Sequence, residues 1–336
     1  MSAFPPDLRE WIANKYAKGV DIAVLKELLK EQGFAEADID LELTEMQSHP
    51  YLLAYKETYL DLQKREWMMN MLNRKYQMNR HFKIERKKKL PPFKTFLKNY
   101  YLKNMPVVIE NAFNNWPAKN WTPELILEKC GNPNVQVQYG REGDPNFEQN
   151  SDKYKTTMPL REFMQKVKEA GNSNNIYLTA NNSHMNREAF APLYEEVGQI
   201  GDDYMRVDIV KKFGYLWIGP AGTFTPTHHD TTDIMFFQIY GRKRFWFAPS
   251  LSAPLMHNSR HVYSHAEIAR PDFDKFPSLR YANIMQVDVG PGDAIFLPAG
   301  WWHAVEALEP SISFSSMAFN APNDDHNHFP KTYSRY

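Results

Sequence analysis

The sequence predicts a mainly β fold with helices, preceded by an N-terminal helical region. Two observations predict it. Up to about Asn79 the apolar residues recur at helical spacing, whereas the second half is a succession of short apolar runs rich in aromatic residues, bounded by Gly and Pro turns. With 336 residues, the chain can bury a sizeable core and hold one large domain plus a smaller appendage.

The first helix runs through Asp7-Leu8-Arg9-Glu10-Trp11-Ile12. A second, from Val20 to Gln32, places Val24, Leu25, Leu28 and Leu29 on one face, and Gly33 ends it. Asp38 to Met46 forms a short third helix; a longer one spans Pro50 to Met78 and carries Leu53, Tyr59, Leu60, Trp67, Met68, Met71 and Leu72. This region, 1–80, either packs on the outside of the rest or acts as an interaction module, such as an arm for a homodimer. The basic stretch 81–92, ending in Pro91-Pro92, reads as a linker. Such a run is ordinarily a solvated surface; contact with RNA phosphates is the sharper alternative. Next, Lys94, Lys98 and Lys103 interleave with Phe93, Phe96, Leu97 and Tyr101, as in an ordinary amphipathic helix. Helices near Pro123 to Lys129 and Pro159 to Lys168 precede the strands Phe213 to Ile218, Ile234 to Tyr240 and Ala294 to Leu297. Residues 93–320 form the main domain on this reading, with 321–336 as a C-terminal tail.

Basic and acidic residues number 40 each, so no global field gathers nucleic acid or membrane. A single cysteine, Cys130, excludes an internal disulfide and fits a reducing compartment. No basic leader with an apolar core opens the chain, and no apolar run is long enough to cross a bilayer. The expectation is a soluble cytoplasmic protein without membrane contact, or a nuclear one in a eukaryotic source.

Chemistry concentrates in two segments. Thr225-Pro226-Thr227-His228-His229-Asp230 offers imidazole and carboxylate together, and Pro298-Ala299-Gly300-Trp301-Trp302-His303 supplies a remote imidazole. Two imidazoles and one carboxylate are the ligand set of a facial triad, which leaves positions open on non-heme Fe(II) for a cosubstrate and O2. Side chains at i and i+2 share one face of a strand, so His228 and Asp230 converge while His229 points away. His303 is expected just past the strand Ala294 to Leu297, at a sheet rim. Alone, a His-x-Asp pair is a common hydrogen-bonded turn and a Trp-Trp-His a common piece of core; together, in a β-rich context, they are moderately specific. Trp301, Trp302, Phe236 and Phe237 are core aromatics that would also keep water out.

These segments, with Gln238 to Phe247 and Gly290-Pro291-Gly292-Asp293, resemble the signature of JmjC-type 2-oxoglutarate oxygenases. The nearest group named by the resemblance is the cupin-like set containing the asparaginyl hydroxylase called factor inhibiting HIF. Pro106 to Ile109 with Trp116-Pro117 resembles its entry strand, and Ile176-Tyr177-Leu178 a segment whose tyrosine contacts the cosubstrate. The resemblance covers about Phe93 to Phe319. It implies a double-stranded β-helix of the jelly-roll and cupin kind, Fe(II) bound by His228, Asp230 and His303, and 2-oxoglutarate and O2 as cosubstrates. Lys243 would pair with the distal carboxylate of 2-oxoglutarate, with Thr225 and Tyr177 donating hydrogen bonds. A buried dicarboxylate needs such a cation in any case, although Gly241-Arg242-Lys243-Arg244 also reads as a solvated turn.

The chain departs from the pattern at two places. Ile234 stands where many members carry asparagine, and Ser311 to Met317 lacks the asparagine of the factor-inhibiting-HIF type, so Ser313 or Ser315 would supply the hydroxyl instead. The implied activity is hydroxylation of a side chain in a protein or peptide. Alternatives are a tRNA-modifying hydroxylase, a lysine or arginine demethylase with Asp233 as an extra acid, and a catalytically silent cupin scaffold.

Overall fold

The computed structural model describes residues 4–78, 83–201 and 203–330. Two compact units are present, Met1–Leu72 and Asn73–Tyr336.

In the first unit, helices α1 (Pro6–Ala17), α2 (Ile22–Glu31) and α3 (Glu36–Ser48) are followed by the start of α4 (Pro50–Met78). Asp21 caps α2 by accepting from Ala23 N at 2.7 Å, which is why the helix starts at Ile22 and not at Val20. Gly33, at φ +88°, lets the chain leave it. The core is Ile12, Leu25, Leu29, Ile39, Leu43 and Met46. The broad face expected on α2 is narrower, because only Leu25 and Leu29 are buried while Val24 and Leu28 are exposed. On α4, Leu53, Leu60, Trp67, Met68 and Leu72 are exposed as well.

The units divide before residue 80. Asn73 is buried, donates Nδ2 to Tyr281 O (2.8 Å) and accepts from Asn283 Nδ2 (2.9 Å), so it belongs with the second unit. The expected linker 81–92 also contains structure: Glu85–Lys87 forms β1, parallel to β2 (Val107–Ile109). Arg86 there pairs with Asp293 (3.0 Å) and Lys87 with Glu85 (2.5 Å), so these cations serve the fold. His81 and Phe82 lie outside the described residues.

The expected helices are present at Pro123–Cys130 and Leu160–Glu169. A small sheet places β3 (Asn134–Tyr139) between β4 (Lys155–Pro159) and β5 (Ile176–Tyr177). The remaining strands, in chain order, are β6 (Gly214–Gly219), β7 (Phe224–His229), β8 (Ile234–Tyr240), β9 (Lys243–Ala248), β10 (Asn258–Arg260), β11 (Tyr263–Ser264), β12 (Met285–Val289), β13 (Ala294–Leu297), β14 (Trp302–Ala307) and β15 (Ser311–Ser316). One sheet runs β1-β2-β13-β8-β15-β6 and the other β10-β11-β7-β14-β9-β12. From β6 to β9 and from β12 to β15, consecutive strands alternate between the sheets, the winding of a double-stranded β-helix.

Period-two alternation builds the layers. Phe236 joins Phe245, Phe247, Ile295 and Trp301 in one cluster, whereas its neighbours Met235 and Phe237 join Trp116, Phe163 and Phe314 in another. Each such side chain stabilises by about 1.5–3 kcal/mol when fully buried. The turn from β8 to β9 requires Gly241: its φ is +68°, and a Cβ would stand 2.1 Å from Pro310 O. That turn delivers Lys243 into the barrel.

Candidate active site

Strands β7 and β14 build the cluster. Their antiparallel register sets His303 opposite His228, with the two rings 4.2 Å apart, so His303 lies within β14 and not at the rim expected for it. His229 is opposite Trp302 and packs edge-on against that ring at 4.7 Å, on the other face. Asp230 follows β7 and returns to the face of His228. One ligand atom from each of His228, Asp230 and His303 lies within 4.8 Å of the others.

The imidazoles are prepared for a metal. His228 Nδ1 meets Pro226 O at 2.8 Å and His303 Nδ1 meets Trp301 O at 2.9 Å. A carbonyl only accepts, so each Nδ1 carries the proton and each Nε2 offers a lone pair. Burial, then the nearby His228, pushes the His303 pKa down to about 4, so its 3.5 Å approach to Asp230 Oδ2 joins a neutral ring to a carboxylate. The donor set and its facing atoms fit an Fe(II) ion bound on one side.

The cluster opens on a cavity of about 380 Å³, lined also by Tyr177, Thr225, Trp217, Phe236, Lys243 and Ser315. Lys243 is 1% exposed, and its Nζ donates to Tyr177 Oη at 2.9 Å. The rings of Tyr177, Trp217 and Phe236 surround it, and no carboxylate among the described residues pairs with it. Burial pulls its pKa down to about 7. Lys243 therefore lies inside and not on a solvated turn. Ser315 accepts from Trp217 Nε1 (2.9 Å) on the cavity wall, while Ser313 is spent on Gln238 (2.8 Å).

Other expectations are corrected. Of the four aromatics read as water barriers, only Phe236 lines the cavity; Phe237 packs on Trp116, Trp302 sits with Ala248 and Met256, and Trp301 stays within the inner cluster. Asp233 does not line it either. Its Oδ1 accepts from Ala299 N at 2.9 Å, tying the turn before β14 to the start of β8, and burial raises its pKa. Sequence reasoning missed Arg141, whose five N–H groups all find acceptors on Gln138, Glu148, Asn174 and Phe224. This fully buried cation fixes Glu148 on the cavity wall and lies over the Tyr177 ring. Gly140-Arg141-Glu142-Gly143 looks like an exposed turn, and no signal in it announces the network.

A double-stranded β-helix whose cavity carries a buried lysine and a cluster able to hold a metal ion defines a cupin-type fold. The cupin-like domain family matches residues 93–324, and the chain belongs to it. It is similar to HSPB1-associated protein 1 of Bos taurus, 28% identical over 244 residues, covering 66% of this chain and 49% of that protein. It is likewise similar to lysine-specific demethylase 8 of Xenopus tropicalis (28% over 236 residues; 67% and 50%) and lysine-specific demethylase JMJ30 of Arabidopsis thaliana (28% over 238; 66% and 51%). The chain spans about half the length of the curated relatives it matches. These likenesses support the JmjC group of 2-oxoglutarate oxygenases as a whole, not its factor-inhibiting-HIF branch in particular.

Proposed function

We propose that this chain is an Fe(II)- and 2-oxoglutarate-dependent oxygenase that hydroxylates a side chain of a protein or peptide, a small hydroxylase of the kind the factor-inhibiting-HIF group represents. The observation that carries the reading is Lys243, a buried cation with no carboxylate partner among the described residues, in the cavity that also holds the His228, Asp230 and His303 donors. Such a cation calls for an anionic ligand. Along β14 and β9, His303 faces Phe247 and Ala307 faces Lys243. That offset separates the two sites by roughly 13 Å of ladder, a gap closed by two side chains, an ion and a short dicarboxylate.

When bound, iron with 2-oxoglutarate and O2 supplies the oxidation: a C–H bond becomes C–OH while 2-oxoglutarate becomes succinate and CO2. This chain's residues do the rest. Lys243 and Tyr177 hold one carboxylate of the cosubstrate, and Thr225 and Ser315 offer hydroxyls from the walls. Phe236, Phe245 and Leu297 keep that end of the cavity apolar and water away.

Hydroxylation is preferred over demethylation because no acid in or beside the cavity is left free among the described residues, although the rings of Tyr215 and Tyr263 also line its wall. A methylammonium group needs a carboxylate or an aromatic cage. Asp230 belongs to the triad, Glu148 is bound by Arg141 at 2.8 Å, and Asp233 faces the Ala299 backbone. The names of two relatives, lysine-specific demethylases, set the contrary case. Purified protein with Fe(II) and 2-oxoglutarate should be offered a peptide pool, methylated peptides and tRNA in parallel. A peptide that retains one added oxygen atom, with succinate formed in equal amount, supports the reading. Formaldehyde without retained oxygen, oxygen gained only by tRNA, or no succinate from any of them overturns it.

A further inference from the structure

We propose that Glu267 is a positioning residue for the metal ligands, holding open a bulge in β7 that aims His228 and Asp230 at His303. This rests on reading the three residues as a metal site. Between the pairs His303–His228 and Val305–Thr225 the register of β7 against β14 shifts, so Pro226 and Thr227 together oppose Ala304. A bulge bends its strand and re-aims the side chains beyond it. Pro226 loses nothing there, since it has no N–H. Thr227 is 1% exposed and needs a new acceptor for its own.

Glu267, forty positions downstream, supplies it. Thr227 N donates to Oε2 at 3.0 Å and Thr227 Oγ1 to Oε1 at 2.5 Å, while Ala269 N reaches Oε1 at 2.9 Å. Ile268 N in turn donates to Thr227 Oγ1 at 2.9 Å. No cation among the described residues pairs with this carboxylate, so its work is geometric. The Pro226 carbonyl and the Thr227 N–H belong to one planar peptide unit. Glu267 anchors one end of that plane; the other end accepts the proton of His228 Nδ1 at 2.8 Å. Rotation of the plane would release the tautomer and the aim of His228 together.

The test is Co(II) affinity of the metal-free protein, read from the visible absorption of the bound ion against a competing chelator at a temperature where all variants are folded. Glu267→Gln replaces one acceptor by a donor facing Thr227, and Thr227→Val removes the hydroxyl alone. Each should weaken Co(II) roughly tenfold, the lower end for an outer partner, and shift the absorption bands. The double variant should be no weaker than the worse single, because both act through one device. Thr227→Val serves if Glu267→Gln does not fold. Wild-type affinity and spectrum in both folded variants, or losses that simply add, would overturn the proposal while leaving the metal site standing. A wild-type chain that fails to bind Co(II) would overturn the metal site and this proposal together.

Discussion

Replacing Lys243 by Met separates a functional cation from a structural one, because the two predict opposite changes in stability. Burial drags the ammonium from 10.5 to about 7, and at about 1.36 kcal/mol per pH unit this is up to about 5 kcal/mol held against the charged form. The three surrounding rings reduce that cost. An apolar chain of similar volume should therefore leave the ligand-free protein as stable as before, or more stable by about 1–4 kcal/mol, as when buried charges give way to hydrophobic residues. Cosubstrate binding should move the other way. A hydrogen bond to a charged group contributes about 1.5–3 kcal/mol, so 2-oxoglutarate should bind about 10- to 150-fold more weakly. Denaturant unfolding without ligand and calorimetric titration of 2-oxoglutarate into the metal-loaded protein read the two effects. Strong destabilisation with unchanged 2-oxoglutarate affinity would make Lys243 a structural partner of Tyr177 and not the cation of a cosubstrate pocket.

His228→Ala or His303→Ala should abolish metal binding, whereas His229→Ala, whose ring packs on Trp302 at 4.7 Å, should keep it; equal loss in all three would contradict the ligand assignment. Tyr177→Phe removes the hydroxyl that meets Lys243 at 2.9 Å and should weaken 2-oxoglutarate by about tenfold or more with metal affinity little changed. Because burial lowers the Lys243 pKa to about 7, the empty pocket loses its charge as pH rises through that value. The affinity for 2-oxoglutarate should then fall by about tenfold per pH unit above 7 in calorimetric titrations, a slope that Lys243→Arg removes. Stability of the ligand-free protein carries the opposite sign. Between about 7 and 10.5 the unfolded lysine binds the proton and the folded one does not, so this group's destabilisation is complete below 7 and fades toward 10.5.

The candidate ligands were legible because strand alternation is a local rule. His228, His229 and Asp230 sort onto two faces from their order alone, and the register of β7 with β14 then brings His303 to His228. Lys243 was legible through the resemblance and through the need of a dicarboxylate for a cation. What stayed hidden depends on contacts between residues far apart in the chain. No local pattern ties Glu267 to Thr227, Arg141 to Phe224, or Asp233 to Ala299. A similar blindness affects edges: Glu85–Lys87 is too short and charged to read as a strand, and only its partner Val107–Ile109 makes it one. On α2, periodicity marks an apolar stripe without its width, since neighbours decide which of Val24, Leu25, Leu28 and Leu29 are covered.

The most direct test of the account follows the oxygen atoms. With isotopically labelled O2, Fe(II), 2-oxoglutarate and the peptide that gains mass, the wild-type chain should place one labelled atom in succinate and one in the hydroxylated side chain, and His303→Ala should place none in either. Succinate without label, or a product whose added oxygen comes from water, would contradict an oxygenase built on His228, Asp230 and His303.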